Sequence, residues 1–250
     1  MNVKVVKDIT NAAAITHGGI FHADEVLSTA ILAHIIPNMS VARVFRVPDN
    51  LDPNTIVYDV GGGKYDHHQR GGNGERSNGV PYASAGLIWQ EFGFQVCLDT
   101  VDPQMVWKYV DRYLIQAIDA NDNGVMPILK YPAQPMAVAQ VVSGFNPTWD
   151  TDTTTPDADG LTAVDHAFLR AVEFVDVILQ NTITYANSKA MAAAEVQAAI
   201  KKSKDGVLIL DKYMPWKDVL AEAIHMGYTS HQAGTCGLHV HVSRNAFGDT

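Results

Sequence analysis

Thr16-His17-Gly18-Gly19-Ile20-Phe21-His22-Ala23-Asp24-Glu25 is the stretch on which the fold turns. It follows a short apolar run, Asn11 to Thr16, that reads as a buried strand. Gly18 and Gly19 then permit a tight turn. From Ala23 to Ile36 the residues Val26, Leu27, Ala30, Ile31 and Ile35 recur at helical spacing. Asp24 and Glu25 occupy the first turn, where carboxylates complement the helix dipole, and Pro37 ends the segment. Two β-rich runs come next: Val41 to Val47, closed by Pro48, and Thr55 to Val60, closed by three glycines. Strand, helix, strand, strand and further helices predict an α/β fold with a mainly parallel sheet.

The third of these runs leads into Tyr58-Asp59-Val60-Gly61-Gly62-Gly63-Lys64-Tyr65-Asp66-His67-His68-Gln69. The two segments together hold four of the ten histidines. Any one of them alone reads more simply as a polar surface or packing residue. The spacing decides otherwise. Open α/β sheets bind ligands beyond the carboxyl ends of their strands, and His17 and Asp59 both fall at strand ends. In His17-x4-His22-x-Asp24 three ligand-type side chains converge without distorting regular structure, and Asp66-His67-His68 follows a glycine run. Imidazole and carboxylate suit Zn, Mn, Fe or Co, so a metal site, expected to hold two ions, is the reading these residues support.

Bulk properties narrow the field. A chain of 250 residues, 47% apolar, can bury a full core. The net charge of −9 argues against holding duplex nucleic acid on a broad basic face, although it leaves room for a local basic groove. Cys97 and Cys236 are too few for a disulfide framework and imply a reducing compartment. No apolar run approaches ~18 residues and no secretory signal opens the chain, so a soluble, cytoplasmic protein without membrane attachment is expected.

Further along, 69–81 is rich in glycine, asparagine and charge and reads as a mobile loop, a candidate lid. Tyr82 to Phe92 and Asp102 to Asp119 are predicted helical, the latter with Asp102 as N-cap and Pro103 in its first turn. It runs into Asp119-Ala120-Asn121-Asp122-Asn123-Gly124, which could bring another carboxylate to the site. Residues 127–135 contain three prolines, and 146–160 is polar without periodicity. A long helix is expected from Leu161 to about Lys202, then a strand from Gly206 to Leu210, a short helix from Tyr213 to Ala223 and a last strand from Leu238 to Ser243. These limits suggest a catalytic domain over 1–147, a linker over 148–160 and a smaller α/β domain over 161–250. His225, His231, His239 and His241 fit no ligand spacing and read as solvated polar residues.

With these segments in place the chain resembles the Asp-His-His phosphoesterase superfamily, and within it the melanocyte-proliferating-gene family of metal-dependent exonucleases. The matching segments are Thr16 to Glu25, Tyr58 to Arg70, Asn78 to Phe92, Ala117 to Gly124 and Leu210 to Trp216. The resemblance implies a Rossmann-like sheet carrying two divalent ions, manganese first, with Mg, Co or Zn as alternatives, and a smaller carboxy-terminal domain closing over the phosphate. His17 and His22 would hold one ion, Asp24 and His67 the other, and Asp59 would bridge them. Asp122 would add a ligand, with Asp119 and Asp66 in supporting positions, and His68 would face the phosphate.

Arg70, Arg76 and Arg244 are the arginines expected to hold that phosphate by bidentate contact. His22 stands where the pyrophosphatases of the superfamily place an aspartate, and the segment after Trp216 is short for the family. Two ions would activate a water as hydroxide and offset charge on the phosphoryl oxygens. The activity expected is 3′ to 5′ exonucleolytic cleavage of single-stranded RNA or short oligonucleotides. A small-molecule phosphatase or pyrophosphatase, and a non-catalytic metal or nucleotide binder, stay open as alternatives. Subunit number is open too, with a homo-oligomer allowed.

Overall fold

A computed structural model describes residues 2–125, 136–203, 207–225 and 239–242. Four strands form a parallel sheet in the order β1-β3-β2-β4: β1 is Val3–Val5, β2 Ala14–His17, β3 Met39–Val44 and β4 Ile56–Val57. Ala14 pairs with Val41 on one side and Ile56 on the other, and His17 pairs with Val44. β2 is therefore central, buried on both faces, and its apolar run is continuous rather than alternating. Side chains still divide by face. Ala14 and Val41 join the main core, while Ile15 and Ala42 pack with Val6, Ile9, Leu51 and Val57 on the other side.

Helices cover the main-core face. α1 (Ala23–Ala33) is buried nearly throughout and packs against α2 (Ser84–Val96), α4 (Gln116–Asp122), α5 (Val138–Ser143) and α6 (Ala163–Lys202). α3 (Pro103–Val110) starts under the Asp102 cap, whose carboxylate accepts the Met105 N–H at 3.0 Å. It runs through a π-helical turn, Asp111–Ile115, into α4. The fold is thus α/β, a parallel sheet flanked by helices.

The 40-residue α6 opens with the Thr162 side chain as its cap and spans roughly 60 Å. Its first half, from Val164 to Ala186, belongs to the main core; Ala192 and Val196 belong instead to a second cluster with Leu208, Leu210 and Met214. β5 (Val207–Leu210), α7 (Lys217–His225) and β6 (His239–Val242) complete the described residues, β5 and β6 pairing in parallel. Gly206, Leu238 and Ser243, expected strand ends, lie outside the described residues, as do His231 and the whole of the proline-rich 127–135 segment. Among the described residues no helix is long and apolar enough to cross a membrane.

The structure adds an edge strand, β1, that the charged Val3-Lys4-Val5 segment conceals, and α5, which follows the prolines. The expected 55–60 strand is only two residues long because Asp59 turns out of it at φ 56°. The 69–81 loop, expected as a lid, is pinned from within: Arg76 is buried and reaches Asp111 at 2.7 Å.

Candidate metal centre

His17 is the last residue of β2, and Asp59 follows β4 on the same edge of the sheet. The left-handed backbone at Asp59, a conformation that aspartate tolerates better than most residues, aims its carboxylate back over β2. His17 Nε2 lies 3.2 Å from Asp59 Oδ2 and 2.8 Å from Glu25 Oε1. Its other ring nitrogen, Nδ1, is 3.0 Å from the Gly18 carbonyl, which leaves Nε2 as the ligand atom. Burial disfavours the imidazolium, but the two carboxylates outweigh it and push the His17 pKa up to about 10.

The turn into α1 supplies three more groups. The His22 N–H donates to both Glu25 oxygens at 2.9 Å, so the glutamate holds the turn closed while its carboxylate faces His17. Asp24 is fully buried; its Oδ2 accepts the Ser84 hydroxyl at 2.7 Å. Burial, then the neighbouring carboxylates of Asp59, Glu25 and Asp122, drive the Asp24 pKa well above its ordinary value.

The glycine-rich turn after Asp59 delivers His67 and His68. Asp66 fastens it, accepting the Gly62 N–H at 2.6 Å and the His68 N–H at 3.1 Å. His67 Nε2 lies 2.8 Å from Asp122 Oδ2 at the end of α4, and its Nδ1 is 3.6 Å from Asp59 Oδ1 and 4.0 Å from Asp24 Oδ2. His68 stacks on His67 with ring centroids 4.3 Å apart, its Nδ1 2.7 Å from Asp66. His22, His67, His68 and Asp122 open onto a cleft of about 590 Å³.

This arrangement fits cations. Asp24 Oδ1, Asp59 Oδ1 and His67 Nδ1 are buried and have no hydrogen-bond partner, a costly state for polar atoms out of water. Ligand-type atoms gather within 4.8 Å in four overlapping sets: His17, His22 and Glu25; His22, Asp24 and Asp122; Asp24, Glu25 and Asp59; and Asp59, Asp66, His67 and His68. Several carboxylates this close repel one another, and a divalent ion relieves both faults at once.

Residues 13–232 match a family model described as Uncharacterised protein family (UPF0160), MYG1_exonuc. The chain belongs to this family. It is 27% identical over 253 residues to the MYG1 protein of Saccharomyces cerevisiae, covering 89% of this chain and 71% of that one. Identity to the MYG1 protein of Schizosaccharomyces pombe is 32% over 229 residues, 81% of this chain and 68% of that. The human MYG1 exonuclease is 30% identical over 237 residues, 82% of this chain and 61% of that. No solved structure matches the chain.

Within this MYG1-family chain the structure brings together His17, His22, Asp24, Asp59, Asp66, His67, His68 and Asp122. It places Asp119 and Arg76 elsewhere. Asp119 is buried behind the site, accepting the Gly86 N–H at 2.9 Å with Arg76 Nη1 2.8 Å from its Oδ2; burial pushes its pKa up to about 7 against the pull of Arg76. Arg76, expected at the phosphate, is instead enclosed between Asp111 and Asp119, with its guanidinium over the Tyr82 ring at 4.3 Å. Arg70 is exposed, and Arg244 lies outside the described residues. Glu25 is the residue that sequence reading misses. Its first-turn position explains it as a dipole partner, and only the backward reach of its side chain to the His22 N–H could have flagged a second task.

Proposed function

We propose that this chain is a metal-dependent phosphodiesterase of the Asp-His-His phosphoesterase superfamily, acting as a 3′ to 5′ exonuclease on single-stranded RNA or short oligonucleotides. The observation that carries the metal dependence is the convergence of three buried atoms without partners, Asp24 Oδ1, Asp59 Oδ1 and His67 Nδ1. Nuclease chemistry draws support from the exonuclease named among the family's members.

His17, His22 and Glu25 would hold one ion, and Asp24, His67 and Asp122 a second, with Asp59 shared between them; manganese suits this mixed imidazole and carboxylate set. When bound, such a pair supplies a nucleophilic hydroxide at neutral pH and neutralises charge on the phosphoryl oxygens. The chain's own residues do the rest. Gly18 and Asp66 fix the tautomers of His17 and His68 through their Nδ1 atoms. His68, at the exposed lip of the cleft, presents Nε2 to a phosphate oxygen. Arg70 is the exposed cation nearest in sequence to that histidine, whereas Arg76 is occupied by two carboxylates and is assigned to holding the loop.

The test is a 5′-labelled RNA oligonucleotide incubated with Mn2+ and either wild-type protein or Asp59→Asn. Stepwise shortening by the wild type alone is expected. Release of phosphate from pyrophosphate or nucleotides without shortening would replace the nuclease reading with that of a small-molecule phosphatase.

A further inference from the structure

Away from the metal centre, a cleft of about 470 Å³ opens between α3 with its π-turn, α6 and α7. Lys108 and Tyr109 lie on α3, Arg112 and Tyr113 one turn later, and Lys189 on α6. Tyr109 and Tyr113 pack at a tilt of 35° with ring centroids 4.3 Å apart, and Tyr185 stands 6.1 Å from Tyr109. Lys189 Nζ sits over both Tyr109 and Tyr185, at 5.2 and 5.7 Å.

Charge is distributed unusually for a chain of net −9. Three cations line this cleft against one carboxylate, Asp218, which pairs with Lys189 at 2.6 Å. Among the described residues Lys108 and Arg112 have no ion-pair partner. They are one helical turn apart, where like charges repel, so a polyanion would relieve them. Tyr113 and Tyr185 are 57% and 54% exposed, large rings left open to solvent beside those cations. Exposed aromatic rings next to cations are what a single strand needs, because every base has a π-face to stack and every nucleotide a phosphate. A π-turn, which often marks functional positions, carries Arg112 and Tyr113.

We propose that this cleft, with the exposed Tyr185 ring beside it, is an accessory site for single-stranded nucleic acid, with Tyr113 and Tyr185 stacking bases and Lys108 and Arg112 holding phosphates. The proposal rests on the nuclease reading and deepens it. The helical run bearing Arg112 ends ten residues later at Asp122 in the metal centre, roughly 15 Å along its axis, a span that a few nucleotides cover. A strand cut at the metal centre would thus be gripped by its uncut part, and longer substrates would bind better than dinucleotides.

Binding is tested without catalysis. Anisotropy of a fluorescent single-stranded 12-mer RNA in EDTA should give an affinity that weakens about tenfold in the exposed double variant Arg112→Ala/Tyr113→Ala, consistent with a lost stack and phosphate contact. Lys108→Glu should weaken it as well. With Mn2+, the double variant should show a higher KM on the 12-mer and unchanged turnover of a dinucleotide. Wild-type protein that fails to bind the 12-mer, variants that bind it equally well, or displacement by polyglutamate as readily as by polyuridylate would each overturn the proposal. Failure of cleavage in all proteins, with binding and its loss intact, would instead remove the nuclease reading and leave the site standing.

Discussion

His67 and Asp122 meet through Nε2 and Oδ2 at 2.8 Å, joining the glycine-rich turn to the end of α4 across the mouth of the cleft. Burial alone would lower the His67 pKa; Asp122, with Asp59 and Asp66, outweighs it and raises the imidazole above its ordinary value. Asp122→Asn keeps the shape and removes that charge. Mn2+ affinity in calorimetric titration should fall at least about tenfold, as for the loss of a ligand or of the group orienting one. Unchanged affinity would exclude Asp122 from the centre.

Metal loading should release protons. With a pKa of about 10, His17 carries a proton at pH 8 that a bound ion must displace from Nε2. Apparent Mn2+ affinity should therefore rise by about one decade per pH unit between pH 7 and 9 for that proton alone. An indicator dye should also record acidification when Mn2+ is added to weakly buffered protein. A flat profile and no acidification would contradict the assignment of His17.

Gly86 has no room for a side chain. A Cβ there would meet Asp119 Oδ2 at 2.0 Å, Tyr82 at 2.7 Å and Arg76 at 2.9 Å, all held by one another. Gly86→Ala should lower unfolding free energy by about 1–3 kcal/mol or more, from the cost of overpacking. Urea denaturation measures this; a variant as stable as wild type would mean that Asp119 moves freely.

Asp165 predicts a second pH dependence, from a carboxylate outside the candidate metal centre. Its carboxylate accepts the N–H of the capping Thr162 at 2.9 Å and faces Lys7 at 2.5 Å and Arg43 at 3.4 Å, and Arg43 also donates to the Gly19 carbonyl in the turn between His17 and His22. Burial would raise its pKa, but Lys7 and Thr162 outweigh that and hold it below the ordinary carboxylate value. A depressed carboxylate stabilises the fold above its unfolded value and loses that contribution as pH falls through its folded one. Asp165→Asn should cost about 3 kcal/mol at pH 7, from the buried Arg43 left without its carboxylate, and less at pH 3. Equal differences at both pH values would refute this.

Much of the centre was legible because its residues sit where apolar runs give way to glycine: His17, Asp59 and His67 are marked by their neighbours. The α6 helix was legible from sustained periodicity. Arg76 was not, since a cation among glycines and asparagines reads as solvated, and only tertiary packing brings Asp111 and Asp119 around it. Glu25 was hidden because one side chain serves both the helix start and the site. Val3–Val5 was too short and too charged to register as a strand until β3 was beside it.

The left-handed backbone of Asp59 limits what can replace it. Asparagine tolerates φ 56° at least as well as aspartate, whereas a β-branched residue would strain the turn that carries His67. On the proposed nuclease reading, Asp59→Asn is consequently the natural choice for a substrate trap, expected to fold without turning over and so to capture the molecules this protein meets in a cell extract.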